Sequence, residues 1–258
     1  IGGNVTVTRA VHESFISHYK VYWGSTNTTK HSDVPLAAFS TERSRRLGGD
    51  PRACGVRGPD LSPLGSPSER IVNGQDATPC EYRWQVSMRT LSNFPFCGAT
   101  LISPSWVMSA AHCVAGGNPF KLVFGDYNVN SPDDPHQIDR QVRRVIPHPK
   151  YDDGTMEYDF ALIELAEEVP DGECIGYVCI PSEDVIDGAS CLISGWGTVS
   201  SGGSSPSLLQ EGPVAIVSNE VCNQRYSGGI TDTMLCAQGM TEAGIVDACQ
   251  GDSGGPLV

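Results

Sequence analysis

Ser253 lies in "GDSGG" (Gly251–Gly255), a small-residue loop that fits the pattern G-x-S-x-G. A serine hydroxyl is a poor nucleophile until an imidazole accepts its proton. The imidazole in turn presents the right nitrogen only when a carboxylate binds the other one. Enzymes with a nucleophile elbow of this pattern place acid and histidine after the serine. Here all six histidines precede Ser253, and only Gly254 to Val258 follow it. The order His, Asp, Ser remains, with His112 in "MSAAHC" and Asp159 in "EYDFALIEL" as the partners. Asp159 heads an apolar run, where an unpaired charge would be costly to bury. Taken singly, each residue has an ordinary structural reading: a core histidine, a strand-capping aspartate, a glycine-rich turn. All three in one order, each inside a distinctive phrase, point to acyl transfer through a serine nucleophile.

Such groups need rigid elements to hold them. From Ile71 onward the chain breaks into strand-length apolar runs, "WQVSM", "TLI", "KLVFG", "FALIEL" and "CLISGWG", separated by Gly, Pro, Asn and Asp. Helical periodicity is confined to "SNEVCNQRY", where Ser218 or Asn219 can cap a short helix. Many short strands and few helices predict an all-β sandwich or barrel. Residues 1–30 also alternate, with Val5 and Val7 between threonines and with Tyr19, Val21 and Trp23 on one face. That segment resembles part of a fibronectin type III-like sandwich but is too short for a whole domain. Residues 31–70 read as a linker rich in Pro, Gly, Ser and Arg. Its "RSRR" (Arg43–Arg46) is either a cluster of the kind proprotein convertases cut or a solvated charge run.

Composition narrows the setting. The 258 residues are 39% hydrophobic and 18% charged, and no apolar run is long enough to span a bilayer. Nor does a leader of charged-then-apolar type open the sequence. Ten cysteines without a single C-x-x-C favour disulfides in an oxidising compartment over a zinc site. Sequons at Asn4 and Asn27 agree with a secreted, extracellular glycoprotein. Net charge is −13, divided into +3 for residues 1–70 and −16 for the remainder. The acidic part excludes nucleic-acid binding through that region.

"RIVNG" (Arg70–Gly74), "WVMSAAHC" (Trp106–Cys113), "YDFALIEL" (Tyr158–Leu165), "LISGWG" (Leu192–Gly197) and "DACQGDSGGPLV" (Asp247–Val258) occur in that order. In these phrases residues 71–258 resemble the trypsin/chymotrypsin family of serine proteases. The resemblance implies two antiparallel β-barrels with the triad His112, Asp159 and Ser253 between them. It also implies an oxyanion hole from the backbone N–H groups of Gly251 and Ser253. Cleavage of Arg70–Ile71 would free the Ile71 α-amino group to pair with Asp252, a buried ion pair acting as a switch. Asp247, six residues before the nucleophile, would lie at the base of the specificity pocket and select Arg or Lys in peptide substrates. The neighbouring Ala248 offers no hydroxyl, which favours Arg over Lys.

The same resemblance pairs Cys97 with Cys113 and Cys222 with Cys236. "CGVRGPDLSPLGSPSERIVNG" resembles a chymotrypsinogen propeptide and implies Cys54–Cys179, a tether that would survive activation. Cys80 and Cys174 remain in the covered region and are expected to pair with each other. Trypsins use a different partner for their early cysteine, and Glu211 stands where it would fall. The loop Gly125–Ile138 offers Asp126, Asp133 and Asp134 as hard-oxygen ligands, but His136 occupies the place of a key glutamate. No metal or other cofactor is therefore expected. Family members continue past Val258, with partners for Cys191 and Cys249, so the sequence is expected to be a C-terminally truncated piece, inert by itself. The predicted partners are polypeptide substrates, an activating protease and protein inhibitors. The competing reading is a non-catalytic homologue serving as a binding or regulatory module; such homologues usually lose a triad residue, and this chain keeps all three.

Overall fold

The computed structural model describes residues 5–9, 19–26, 29–35, 54–58, 75–131, 134–181, 185–198, 204–241, 244–246 and 251–258. Three strands, β1 (Val5–Arg9), β2 (Tyr19–Thr26) and β3 (Thr29–Pro35), form an antiparallel sheet in that order. Strand β3 ends at Pro35, five residues past the segment boundary read from the sequence at residue 30. The "RSRR" cluster and both sequon asparagines lie outside the described residues.

The next strand, β4 (Gln75–Asp76), belongs to a second sheet, and the six that follow close a barrel. These are β5 (Gln85–Thr90), β6 (Pro95–Ser103), β7 (Trp106–Ser109), β8 (Phe120–Phe124), β9 (Ile138–Pro147) and β10 (Ala161–Leu165), closed in the order β10-β7-β6-β5-β8-β9. Strand alternation fills the barrel. Val86 and Met88, Leu122 and Phe124, and Ile163 and Leu165 all point into one apolar cluster. Each fully buried aliphatic side chain of this kind contributes roughly 1.5–3 kcal/mol. The intervening residues Met108 and Leu162 face outward, yet they too are buried, against Trp84, Trp196 and Leu209. The barrel wall on this side is therefore covered on both faces.

The second sheet consists of β11 (Ser190–Gly195), β12 (Gln210–Val217), β13 (Cys236–Thr241) and β14 (Gly244–Val246), with β4 on β12. Its apolar face gathers Ile193, Val214, Ile216, Leu235 and Leu257. Among the described residues it is an open five-stranded sheet, whereas the family resemblance implies a second closed barrel. One short helix, α1 (Asn219–Arg225), starts at Ser218, whose hydroxyl accepts from Val221 N. Among the described residues, four disulfides join Cys54–Cys179, Cys80–Cys174, Cys97–Cys113 and Cys222–Cys236. No helix among the described residues is long and apolar enough to cross a membrane.

Candidate active site

His112 stands three residues past β7, where the chain leaves the barrel. Val114 N and Ala115 N both bond Ala111 O, at 3.0 and 2.9 Å, which turns the backbone helically at His112. Ala110 and Ala111 are buried, so larger side chains could not occupy this exit. The Cys97–Cys113 disulfide ties the turn back to β6.

Asp159 meets His112 twice. Its Oδ2 lies 2.6 Å from the ring Nδ1, and its Oδ1 accepts the His112 backbone N–H at 2.8 Å. A local turn aims the carboxylate: Phe160 N bonds Tyr158 O at 2.8 Å, a three-residue turn centred on Asp159. Tyr158 holds φ +54°, sparsely populated for a bulky side chain. Its ring stacks on His148 at 4.7 Å, and Phe160 is buried beside it, which holds the turn. The bond to Asp159 raises the His112 pKa above its ordinary value against the lowering effect of burial.

Ser253 sits on a loop pressed against β6. Gly98 N donates to Ser253 O at 2.8 Å, and Gly255 N donates to Asp252 O at 2.9 Å. Gly254 has φ +79°, and a Cβ there would lie 2.6 Å from Gly98 O and 2.8 Å from Ala110 N. Glycine alone fits. Among the described residues, the amide N–H groups of Gly251 and Ser253 are not taken up by any protein acceptor. The Ser253 hydroxyl likewise makes no bond there, and the neighbour of His112 Nε2 is Cys113 Sγ at 3.6 Å. The structure thus joins His112 to Asp159 and brings the Ser253 loop to the strand bearing Cys97, without a direct Ser253–His112 bond.

The Asp252 carboxylate lies between Gly195 and Gly197, whose Cβ positions it would overlap, and Gly197 N donates to its Oδ1 at 2.7 Å. Asp247, Arg70 and Ile71, named in the sequence as specificity and activation residues, lie outside the described residues, as does Asp133. In the loop after β8, Asp126 is fully buried and ion-paired with Arg89, itself fully buried. Its carboxyl is pushed up to about 6, chiefly by burial and against the pull of Arg89. A guanidinium already occupies the position a cation would take beside Asp126, and Asp134 Oδ1 caps His136 N at 3.1 Å. This donor set does not fit a calcium cage.

Several residues that shape the site escape sequence reading. Gly98, Gly197 and the strained Tyr158 act through backbone geometry, and Arg89 looks like any charged strand residue. Gly197 and Tyr158 stand at the ends of phrases already singled out, but their backbone roles are not legible there, and nothing local marks Gly98 or Arg89.

The family model described as Trypsin matches residues 71–258. Transmembrane protease serine 11B of Homo sapiens is 42% identical over 195 residues, covering 73% of this chain and 45% of that protein. Trypsin II-P29 of Gallus gallus is 40% identical over 197 residues, 76% of this chain and 77% of that protein. Serine proteinase stubble of Drosophila melanogaster is 35% identical over 247 residues, 90% of this chain and 30% of that protein. The chain spans less than half the length of the first and third of these relatives. A six-stranded antiparallel barrel, a histidine gripped by an aspartate and a glycine-cradled serine agree with the match: the chain belongs to the trypsin family of serine proteases.

Proposed function

We propose that the chain carries the catalytic unit of a secreted serine endopeptidase that cleaves after Arg or Lys and is made as a zymogen, activated at Arg70–Ile71. The observation that carries the reading is the double grip of Asp159 on His112, through ring and backbone at once. It leaves Nε2 as the unprotonated nitrogen that can take a proton from the Ser253 hydroxyl.

The steps follow from that arrangement. Ser253 Oγ attacks the scissile carbonyl as its proton passes to His112 Nε2. The developing oxyanion is received by the amides of Gly251 and Ser253, which have no protein acceptor among the described residues. His112 then protonates the leaving amine, and water repeats the sequence on the acyl-enzyme, returning Ser253. In uncomplexed sites the serine–histidine contact is commonly loose and tightens with substrate. Asp247 selects a cationic side chain, and Ala248 beside it favours Arg, whose fork engages a carboxylate directly. Four disulfides agree with an extracellular setting. The partners are peptide substrates, the protease that cuts at Arg70 and protein inhibitors.

Active-site titration with a fluorophosphonate after cleavage at Arg70 tests the reading. Stoichiometric labelling of Ser253 is expected; an intact, cleaved chain that stays unlabelled identifies a non-catalytic homologue instead. Peptide substrates differing only in Arg or Lys before the scissile bond should show the higher kcat/KM for Arg, and equality removes that preference.

A further inference from the structure

Just downstream of Ile71 the chain is held by a buried carboxylate for which the catalytic steps have no use. Strand β4 begins four residues after Ile71 and pairs with β12 through Gln210↔Asp76 and Glu211↔Gln75. Glu211, 9% exposed, receives Gln75 Nε2 on Oε1 at 2.5 Å and the Tyr82 hydroxyl on Oε2. Gln210 Nε2 adds a tie to Asp76 Oδ1 at 2.6 Å. Among the described residues no Lys or Arg pairs with Glu211, so both its oxygens rest on neutral donors. A carboxylate buried in this way is expensive, and its use is to fix position. Tyr82 is itself buried, and burial followed by its bond to Glu211 holds the phenol above its ordinary range, which keeps it a donor.

The propeptide touches the same cluster from outside. Cys54 is bonded to Cys179, Gly58 N donates to Glu81 O at 3.1 Å, and Arg57 pairs with Glu81. The Arg57 guanidinium lies 5.2 Å from the centre of the Tyr82 ring. On the other edge of β12, Gln210 faces Gly195 of β11, and two residues on is Gly197, the donor to Asp252. Gly195 itself borders the Asp252 carboxylate, so two strand spacings of about 4.8 Å separate β4 from it, on the order of 10 Å. Four extended residues, Ile71 to Gln75, reach at most about 14 Å. A free Ile71 α-amino group has little slack in reaching Asp252, so the root of this segment must be fixed.

We propose that Glu211 is a positioning residue for activation: through Gln75 and Tyr82 it pins the root of the segment freed at Arg70–Ile71, with tethered Arg57 closing the anchor. The inference rests on the zymogen reading above. Losing two donors to a charged acceptor should lower the fraction of enzyme with an inserted N-terminus about ten- to hundredfold.

The experiment uses the full-length chain, cleaved at Arg70, as wild type, Glu211→Ala, Gln75→Ala and Arg57→Ala. Gln75 and Arg57 are exposed, so the last two changes leave the fold intact. The readouts are cyanate modification of the Ile71 α-amino group and the alkaline limb of amidolysis, where that group loses its proton. Glu211→Ala and Gln75→Ala should be modified faster and lose activity at lower pH, Arg57→Ala less so, with the acid limb set by His112 unmoved. Wild-type protection and an unshifted alkaline limb in Gln75→Ala and in folded Glu211→Ala would overturn the proposal. Failure of the underlying reading looks different: cyanate then modifies cleaved wild type freely, or Ile71→Gly retains full activity.

Discussion

Asp159→Asn separates the catalytic role of the carboxylate from its structural one. In the native site Oδ1 accepts the His112 backbone N–H at 2.8 Å and Oδ2 faces Nδ1 at 2.6 Å. An asparagine keeps its oxygen on the backbone N–H and turns its amide toward the ring. Nδ1 must then accept, the proton moves to Nε2, and Nε2 can no longer take the Ser253 proton. The expected loss in kcat is about 10⁴-fold, the toll of a wrongly held tautomer in such triads, or about 5.5 kcal/mol of barrier. Stability should fall far less. The His112 and Asp159 side chains are 34% and 20% exposed, so solvent screens the pair, and the retained backbone bond limits the loss to about 1 kcal/mol. The pH profile carries an independent sign. Activity needs neutral His112 and so rises with pH through its pKa, which Asp159 holds above the ordinary imidazole value. Without the carboxylate the acid limb moves down, because burial now dominates. Amidolysis of an Arg substrate from pH 5 to 9, with a thermal melt of the same samples, measures both. A loss of kcat under tenfold, or an unmoved acid limb, would refute the argument.

Gly254→Ala places a Cβ 2.6 Å from Gly98 O at φ +79°. It should lower stability by roughly 2–4 kcal/mol and abolish fluorophosphonate labelling, as seen in denaturant titration and active-site titration. Arg89→Met leaves Asp126 buried and unpaired, which should destabilise the protein by about 3–5 kcal/mol at pH 8. The folded-state pKa of Asp126, already about 6 and thus above its unfolded value, rises further without Arg89. Protonation then favours the folded state, so the deficit should shrink from pH 8 to pH 5; denaturant titrations at the two values check this, and a constant deficit contradicts it.

The parts of the site that sequence reveals are those whose chemistry is local. His112, Asp159 and Ser253 each sit in a phrase of small or apolar neighbours that has one structural purpose, and Ser218 caps its helix within three residues. The barrel strands announce themselves as short apolar runs between turn residues, as in "KLVFG", whose Leu122 and Phe124 point inward. Alternation fails where both faces are covered. Strand β5 is buried along nearly its whole length, so no solvent face marks which residues lie inside. Arg89 therefore reads as a surface charge, while the fold sinks it against Asp126, 37 residues on. Asp126 in turn reads as a hard-oxygen donor in a loop where no metal is expected, and the cation beside it is a side chain. The same holds for Tyr82 and Glu211, which lie 129 residues apart. The sequence marks Glu211 only as standing in the place of a cysteine partner, and only the sheet register that lays β4 beside β12 puts a phenol and an amide on one buried carboxylate. A buried charge is legible only together with its partner, and in a fold of long-range strand pairing that partner is seldom nearby in the chain. The residues that sequence hides are thus the ones that couple distant segments, and the proposed activation depends on such coupling.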